Sequence, residues 1–317
     1  MGVTQRSTPP RGAFCLVGGR RLFVDDLGSG APRVVFVPGA GLTGLDYLNL
    51  HARTAAVRSS LIYDRAGTGW SERVALPRTA RQVTDELHEL LELKGGGAVV
   101  LVGHSVGGLY ARRYASRFPD AVAGLVLLDP AHEDYDSYMP AELTQMRSGN
   151  KVFAMINVIL DVALATAPTK ALLQRLPAVS RYRHLYRELF RQELADWPDD
   201  VREVLVERHV SLDWLAVGLR ESRRIEQLYD EVREAGPVPD VPLIILASTG
   251  TDGFRDAVSS GESRALLRAE VEGKLRLYEK VAAMSPRGQV RTVESGHVTL
   301  PFRQRDAILQ AIDDVTS

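Results

Sequence analysis

Gly103-His104-Ser105-Val106-Gly107-Gly108 is the segment of this sequence with the clearest chemical content. An apolar run, Ala98 to Val102, leads into it, and a helical pattern, Gly107 to Phe118, leads out of it. A serine on so tight a strand-to-helix turn projects its hydroxyl clear of the backbone. The flanking glycines remove side chains that would collide in the turn. The helix that follows points its free N–H groups and its positive dipole end at the place where negative charge develops on an attacked carbonyl. The chemistry implied is nucleophilic attack, which an alcohol performs only when a base accepts its proton. Two other glycine-rich readings fail on spacing. A dinucleotide fingerprint needs a glycine at position 105, and a phosphate-binding loop needs a Gly-Lys pair before its hydroxyl residue. No His, Cys or Asp cluster has metal-ligand spacing, so no metal and no cofactor is expected.

Such a turn must be held by a sheet, and the sequence supplies one. Short β-like runs occur at Ala13 to Val17, Arg21 to Asp25, Val34 to Val37, Leu61 to Tyr63, Ala98 to Val102, Leu125 to Leu128, Leu243 to Ala247 and Gln289 to Val293. Most are continuously apolar, without alternation, and helical patterns stand between them at Thr79 to Leu93, Gly107 to Phe118 and Leu266 to Ala283; a last one covers Arg305 to Val315. That combination predicts an α/β protein with a mostly parallel sheet covered by helices on both faces. From about Glu133 to Gly236 the rhythm changes to helical patterns alone. We read residues 1–132 and 237–317 as the core and 133–236 as an inserted helical cap packed over one edge of the sheet.

Composition narrows the function classes. The 317 residues are 45% hydrophobic and 25% charged, with a formal net charge of −1. Near-zero charge exerts no long-range pull on nucleic acid or anionic membranes, so a small-molecule substrate is the expected partner. The single cysteine, Cys15, excludes an intrachain disulfide and suits the cytoplasm. The polar, Pro-rich start lacks the apolar segment of a signal peptide, and Arg6 stands where a myristoylation signal needs Ser or Thr. The most apolar stretch, Val152 to Ala167, is interrupted by Asn157 and Asp161 and is too short for a membrane span. Oligomeric state is not encoded in any pattern found.

The chain resembles the α/β-hydrolase superfamily over nearly its whole length. Val35-Phe36-Val37-Pro38-Gly39-Ala40-Gly41 resembles the family's oxyanion loop, and Asp64-Arg65-Ala66-Gly67-Thr68-Gly69-Trp70-Ser71 its Asp-Arg-x-Gly-x-Gly-x-Ser turn. Ser105 occupies the nucleophile position, and Glu294-Ser295-Gly296-His297 resembles the catalytic-histidine loop. Four motifs in the right order are far more specific than any one.

The resemblance implies a Ser, acid, His order, which makes His297 the base. For the acid it implies Asp252, after Leu243 to Ala247, with Asp129, at the end of Leu125 to Leu128, as the alternative. Gly250-Thr251-Asp252 is one residue shorter than the usual Gly-x-x-Asp spacing. The oxyanion donors would be the amides of Ala40 and Val106, with Pro38-Gly39 where the family often has His-Gly. Asp64, Arg65 and Ser71 read as a structural turn. Gly39, His104, Phe153 and Ile156 are candidates for contact with substrate; His104 reads equally as packing beside the elbow, and the apolar stripe of Phe153, Met155, Ile156, Ile159, Leu160 and Leu164 reads equally as the cap's own core. The implied activity is cleavage of a carboxylester, lactone or thioester through an acyl-enzyme. Family members with an aspartate nucleophile, the dehalogenases and epoxide hydrolases, are disfavoured by Ser105. Carbon–carbon bond hydrolases, cofactor-free peroxidase-like members and a non-catalytic ligand-binding or signalling protein on the same fold stay open.

Overall fold

The computed structural model describes residues 8–148, 166–258 and 264–317. Eight strands form one sheet in the order β1-β2-β4-β3-β5-β6-β7-β8. β1 (Ala13–Val17) and β2 (Arg20–Leu27) make an antiparallel hairpin, and β2 is antiparallel to β4 (Ser60–Tyr63). From β4 onward every pairing is parallel, through β3 (Arg33–Val37), β5 (Val99–His104), β6 (Val122–Leu128), β7 (Leu243–Ser248) and β8 (Gly288–Val293).

The sidedness of the strands explains their composition. Val35, Val37, Leu101, Leu125, Leu127 and Ile245 join one buried cluster, while Val34, Phe36, Val100, Val102, Val126 and Ile244 join the other. Alternate residues thus serve opposite faces, and both faces are dry, so no polar residue interrupts these strands. Helices α2 (Ala80–Leu93) and α3 (Val106–Arg117) cover the first face together with Arg264–Ala282; α1 (Leu48–Ala55) and Arg305–Thr316 cover the second. α2 starts where it does because Thr79 and Gln82 form a reciprocal capping box. Each predicted strand and each of the four predicted helices has a counterpart. The short helix α1 had no sequence signal of its own.

Among the described residues between β6 and β7 there are only helices: Tyr135–Tyr138, Ala141–Ser148, Ala167–Leu173, Pro177–Glu193, Asp199–His209, Leu212–Glu221 and Ile225–Ala235. They do not all pack alike. Phe190, Trp197 and Leu205 join the second-face cluster, whereas Leu228, Tyr229 and Val232 of Ile225–Ala235 join α2 and α3 on the first. Phe153, Met155, Ile156, Ile159, Leu160 and Leu164 lie outside the described residues. Among the described residues no helix is long and apolar enough to cross a membrane.

Candidate active site

Ser105 sits between β5 and α3 with φ 54° and ψ −122°, a conformation that non-glycine residues rarely adopt. The surroundings hold it there. Its N–H donates to the Leu128 carbonyl (3.1 Å), and its own carbonyl accepts from Gly108 (2.9 Å) and Ala131 (3.0 Å). The glycines leave no room for side chains: a Cβ on Gly103 would stand 2.7 Å from the Gly107 carbonyl oxygen, and one on Gly107 2.1 Å from that of Val37. The elbow is thus wedged between the ends of β3 and β6.

The Ser105 hydroxyl donates to His297 Nε2 at 3.0 Å, and His297 Nδ1–H donates to Asp129 Oδ2 at 2.7 Å. These are the roles of a neutral ring: the carboxylate can only accept, so Nδ1 carries the proton and Nε2 is left to accept from the serine hydroxyl. Ser105 and His297 are brought together across 192 residues of chain. The carboxylate bonded to the ring is that of Asp129, the alternative acid, and not that of Asp252, the preferred one. Asp252 faces the backbone of the same loop: its Oδ2 accepts from the amides of Val298 (3.0 Å) and Thr299 (3.3 Å), and its Oδ1 from Arg255 N (2.9 Å). The physical reason is register. β6 ends at Leu128, level with His104, so the next residue reaches the rim beside the elbow. Asp252 stands four residues beyond the end of β7 and caps the helix Gly253–Val258.

Asp129 is heavily partnered. Oδ1 accepts from Ser248 N (3.1 Å), Lys274 Nζ (3.1 Å) and the Tyr278 hydroxyl (3.3 Å), and Oδ2 also lies 3.2 Å from Lys274 Nζ. Burial by itself raises the Asp129 pKa, but the Lys274 ammonium, then His297 and Ser248, hold the carboxyl far below the usual carboxylate range. Lys274 and Tyr278 escaped the sequence reading. The available signal was Glu270, Lys274 and Tyr278 at four-residue spacing on the buried face of Arg264–Ala282.

His104, a candidate for substrate contact, is placed behind the elbow. It is buried, its Nε2 donates to the His297 carbonyl (2.9 Å), and its Nδ1 accepts from the Tyr47 hydroxyl (3.0 Å). Burial first, then the neighbouring His297, pushes its pKa down to about 3, so it stays a neutral strut under the His297 loop. Gly39 is a close neighbour of the elbow; a Cβ there would lie 3.3 Å from Ser105 Cβ.

The backbone of the loop Pro38 to Gly41 is held at Pro38, Gly39 and Gly41. Arg65 donates to the carbonyls of Pro38 (2.6 Å) and Gly39 (3.1 Å). Tyr47 Oη accepts from Gly39 N (3.3 Å), Glu221 Oε2 accepts from Gly41 N (3.0 Å), and Trp214 Nε1 donates to the Gly41 carbonyl (2.7 Å). Arg65 and Glu221 also form a buried ion pair at 2.7 Å. Among the described residues, the Ala40 and Val106 amides have no hydrogen-bond acceptor. Asp64 and Ser71 instead hold their own turn. Asp64 accepts from Gly44 N and Trp70 N, and Ser71 Oγ donates to the Asp64 carbonyl.

A sequence model of the alpha/beta hydrolase family matches residues 34–311. Among curated proteins, the human (lyso)-N-acylphosphatidylethanolamine lipase is 36% identical over 94 residues, 28% of this chain and 27% of its own length. An uncharacterized protein of Mycobacterium tuberculosis is 26% identical over 152 residues, 48% of this chain and 44% of its own. The chain thus spans less than half the length of these curated relatives. Two solved structures extend the likeness to nearly every residue. A thermophilic esterase from Thermogutta terrifontis superposes with a TM-score of 0.58 at 16% identity, covering 97% of this chain and 100% of its own. An enol-lactonase from Burkholderia xenovorans gives 0.59 at 16% identity, covering 96% and 100%. At such identities the likeness is one of fold.

Proposed function

The chain belongs to the alpha/beta hydrolase family, and from that premise we propose that it is a serine hydrolase cleaving an ester-like bond (carboxylester, lactone or thioester) of a small, partly apolar substrate. The observation that carries the reading is the relay from Ser105 Oγ through His297 to Asp129, with contacts of 3.0 and 2.7 Å. Ser105 attacks the carbonyl while His297 takes its proton. The tetrahedral oxyanion is held by the Ala40 and Val106 amides, and Asp129 steadies the imidazolium. His297 then protonates the leaving group, and a water deprotonated by the same ring releases the acyl chain. Each step is carried by groups of this chain and one water. The proteins named above are, by name, an esterase, an enol-lactonase and a lipase, which supports an ester-like substrate. Of the helices between β6 and β7, Leu212–Glu221 serves as the cap element at the site, reaching the oxyanion loop through Trp214 and Glu221. Cys15, the single cysteine, suits a cytoplasmic enzyme.

The test is a panel of p-nitrophenyl esters of graded chain length, run beside lactones and amides, with wild type and Ser105→Ala. Wild type turns over at least one ester, and the alanine variant keeps the fold and loses turnover. Near-normal rates in that variant, or no cleavage of any ester by wild type, would sink the reading. A fluorophosphonate probe gives an independent check, with labelling that depends on Ser105.

A further inference from the structure

We propose that Lys274 sets the proton affinity of the Asp129–His297 pair and so fixes how far into acid the enzyme stays active. The inference rests on the serine-hydrolase reading for its consequence, though not for its geometry. Lys274 is almost fully buried and reaches the sheet rim from the helix Arg264–Ala282. Its ammonium meets four oxygens: both of Asp129, the Ser248 carbonyl at 3.0 Å and Ser248 Oγ at 3.0 Å. Asp129 Oδ2 is shared, with His297 Nδ1–H on one side and Lys274 Nζ on the other. A fixed positive charge therefore stands one carboxylate away from the imidazole that must accept a proton.

The sign does not depend on where the proton resides. Asp129 and His297 share a hydrogen bond, so they titrate as a pair. Without the extra proton the pair carries one negative charge, which Lys274 neutralises; with it the pair is neutral and faces an unmatched ammonium. Lys274 thus favours the unprotonated pair, in which His297 can act as base. A neutral residue at 274 would leave a buried anion, which takes up its proton at higher pH.

The other groups around the pair do not replace that charge. Tyr278, on the same helix, is a neutral donor, its phenol pushed well above the ordinary value by burial and then by Asp129. His104, 5.2 Å from the His297 ring between centroids, is neutral as described. The Asp252 carboxyl faces the backbone of the His297 loop and brings no positive charge. Glu270, one turn before Lys274, is bonded to Arg255 and Tyr135, so the Arg255 charge is matched there. Among the described residues Lys274 is the cation bonded to Asp129.

The experiment is the pH dependence of kcat/KM on the best p-nitrophenyl ester for wild type, Lys274→Met, Lys274→Gln and Lys274→Arg. In parallel, the His297 imidazole resonance is titrated by NMR with each change in a Ser105→Ala background. The two neutral variants should raise the acid-side midpoint by about 1 to 3 pH units. The arginine variant, which keeps the charge, should stay near wild type. A purely structural lysine would lower the plateau and leave the midpoint in place, and that result overturns the proposal. The glutamine variant keeps donors for Asp129 and Ser248 should methionine not fold; if neither neutral variant folds while arginine does, Lys274 is structural and the proposal also falls. The NMR titration reads the pair without turnover, so an enzyme inactive on every ester would sink the functional reading and still test this one.

Discussion

Asp129 and Asp252 both stand at the His297 loop, but they meet different atoms of it. Asp129 touches the ring, and Asp252 touches the amides of Val298 and Thr299. Changing Asp129 to Asn presents an amide to Nδ1 and favours the wrong tautomer, so kcat should drop by about 10⁴-fold. Changing Asp252 to Asn keeps the ring's partner and only loosens the loop, a displacement whose cost should stay below about 10²-fold. Steady-state kinetics on one ester decides the matter, and the reverse ranking would return the acid's role to Asp252. That Ser105 and His297 meet was legible, because each lies in a motif that requires its backbone geometry. Which carboxylate meets the ring was not, because two strand ends each carried an aspartate at their loops, and one-dimensional spacing does not say which loop overhangs the elbow. His104 was half legible: its position beside Ser105 was plain, but its role depends on Tyr47 and the His297 carbonyl, which lie far away in sequence.

Between residue and fold stands the helix Leu212–Glu221, which contributes two of the groups that fix the oxyanion loop. Gly218 allows the approach, its Cα lying 3.6 Å from where a Cβ on Gly41 would stand. Glu221 and Trp214 hold the N–H and carbonyl of Gly41, one peptide beyond the Ala40 amide. Replacing Trp214 by Phe removes one donor and keeps the packing. We expect kcat to fall about 10-fold with KM nearly unchanged, well inside the 10²–10³ that losing a whole oxyanion donor costs. Glu221→Gln should act in the same direction and also cost stability, because it leaves Arg65 buried without its counter-charge. If KM rises and kcat holds, the helix serves binding and not the oxyanion loop. The elements themselves were readable wherever both sheet faces are dry, since a short unbroken apolar run bounded by turn residues suits a strand buried on both sides. The helical block was readable as helices but not in its packing. Nothing in the spacing of Ile225–Ala235 reveals that it lies against α2 and α3 while Trp197 donates to the Leu45 carbonyl near the other face.

At the scale of the whole molecule, three of the buried histidines tie stability to pH. Burial is the leading cause in each of the three: His51 is pushed down to about 4 despite Asp25, His104 to about 3, and His132 to about 4 with help from Arg112. Below about pH 6.5 the unfolded chain protonates all three, while the folded chain leaves them neutral until pH 3 to 4. Over that window the unfolded state holds more protons, so stability falls as pH falls. Asp64 works against this. Burial raises its pKa to about 6 despite the amides of Gly44 and Trp70, so the folded state takes up a proton there that the unfolded chain accepts only near 3.8. Three groups against one leave a net uptake by the unfolded chain. Taking at least one net proton, unfolding free energy should decline by about 1.4 kcal/mol or more for each pH unit between about 6 and 4.5. Urea unfolding at stepped pH measures this directly, as a falling midpoint at constant slope. A midpoint that stays level or rises toward acid would mean that the histidines are protonated inside the folded chain, and His104 could then no longer accept the Tyr47 hydroxyl while bracing the loop that carries His297.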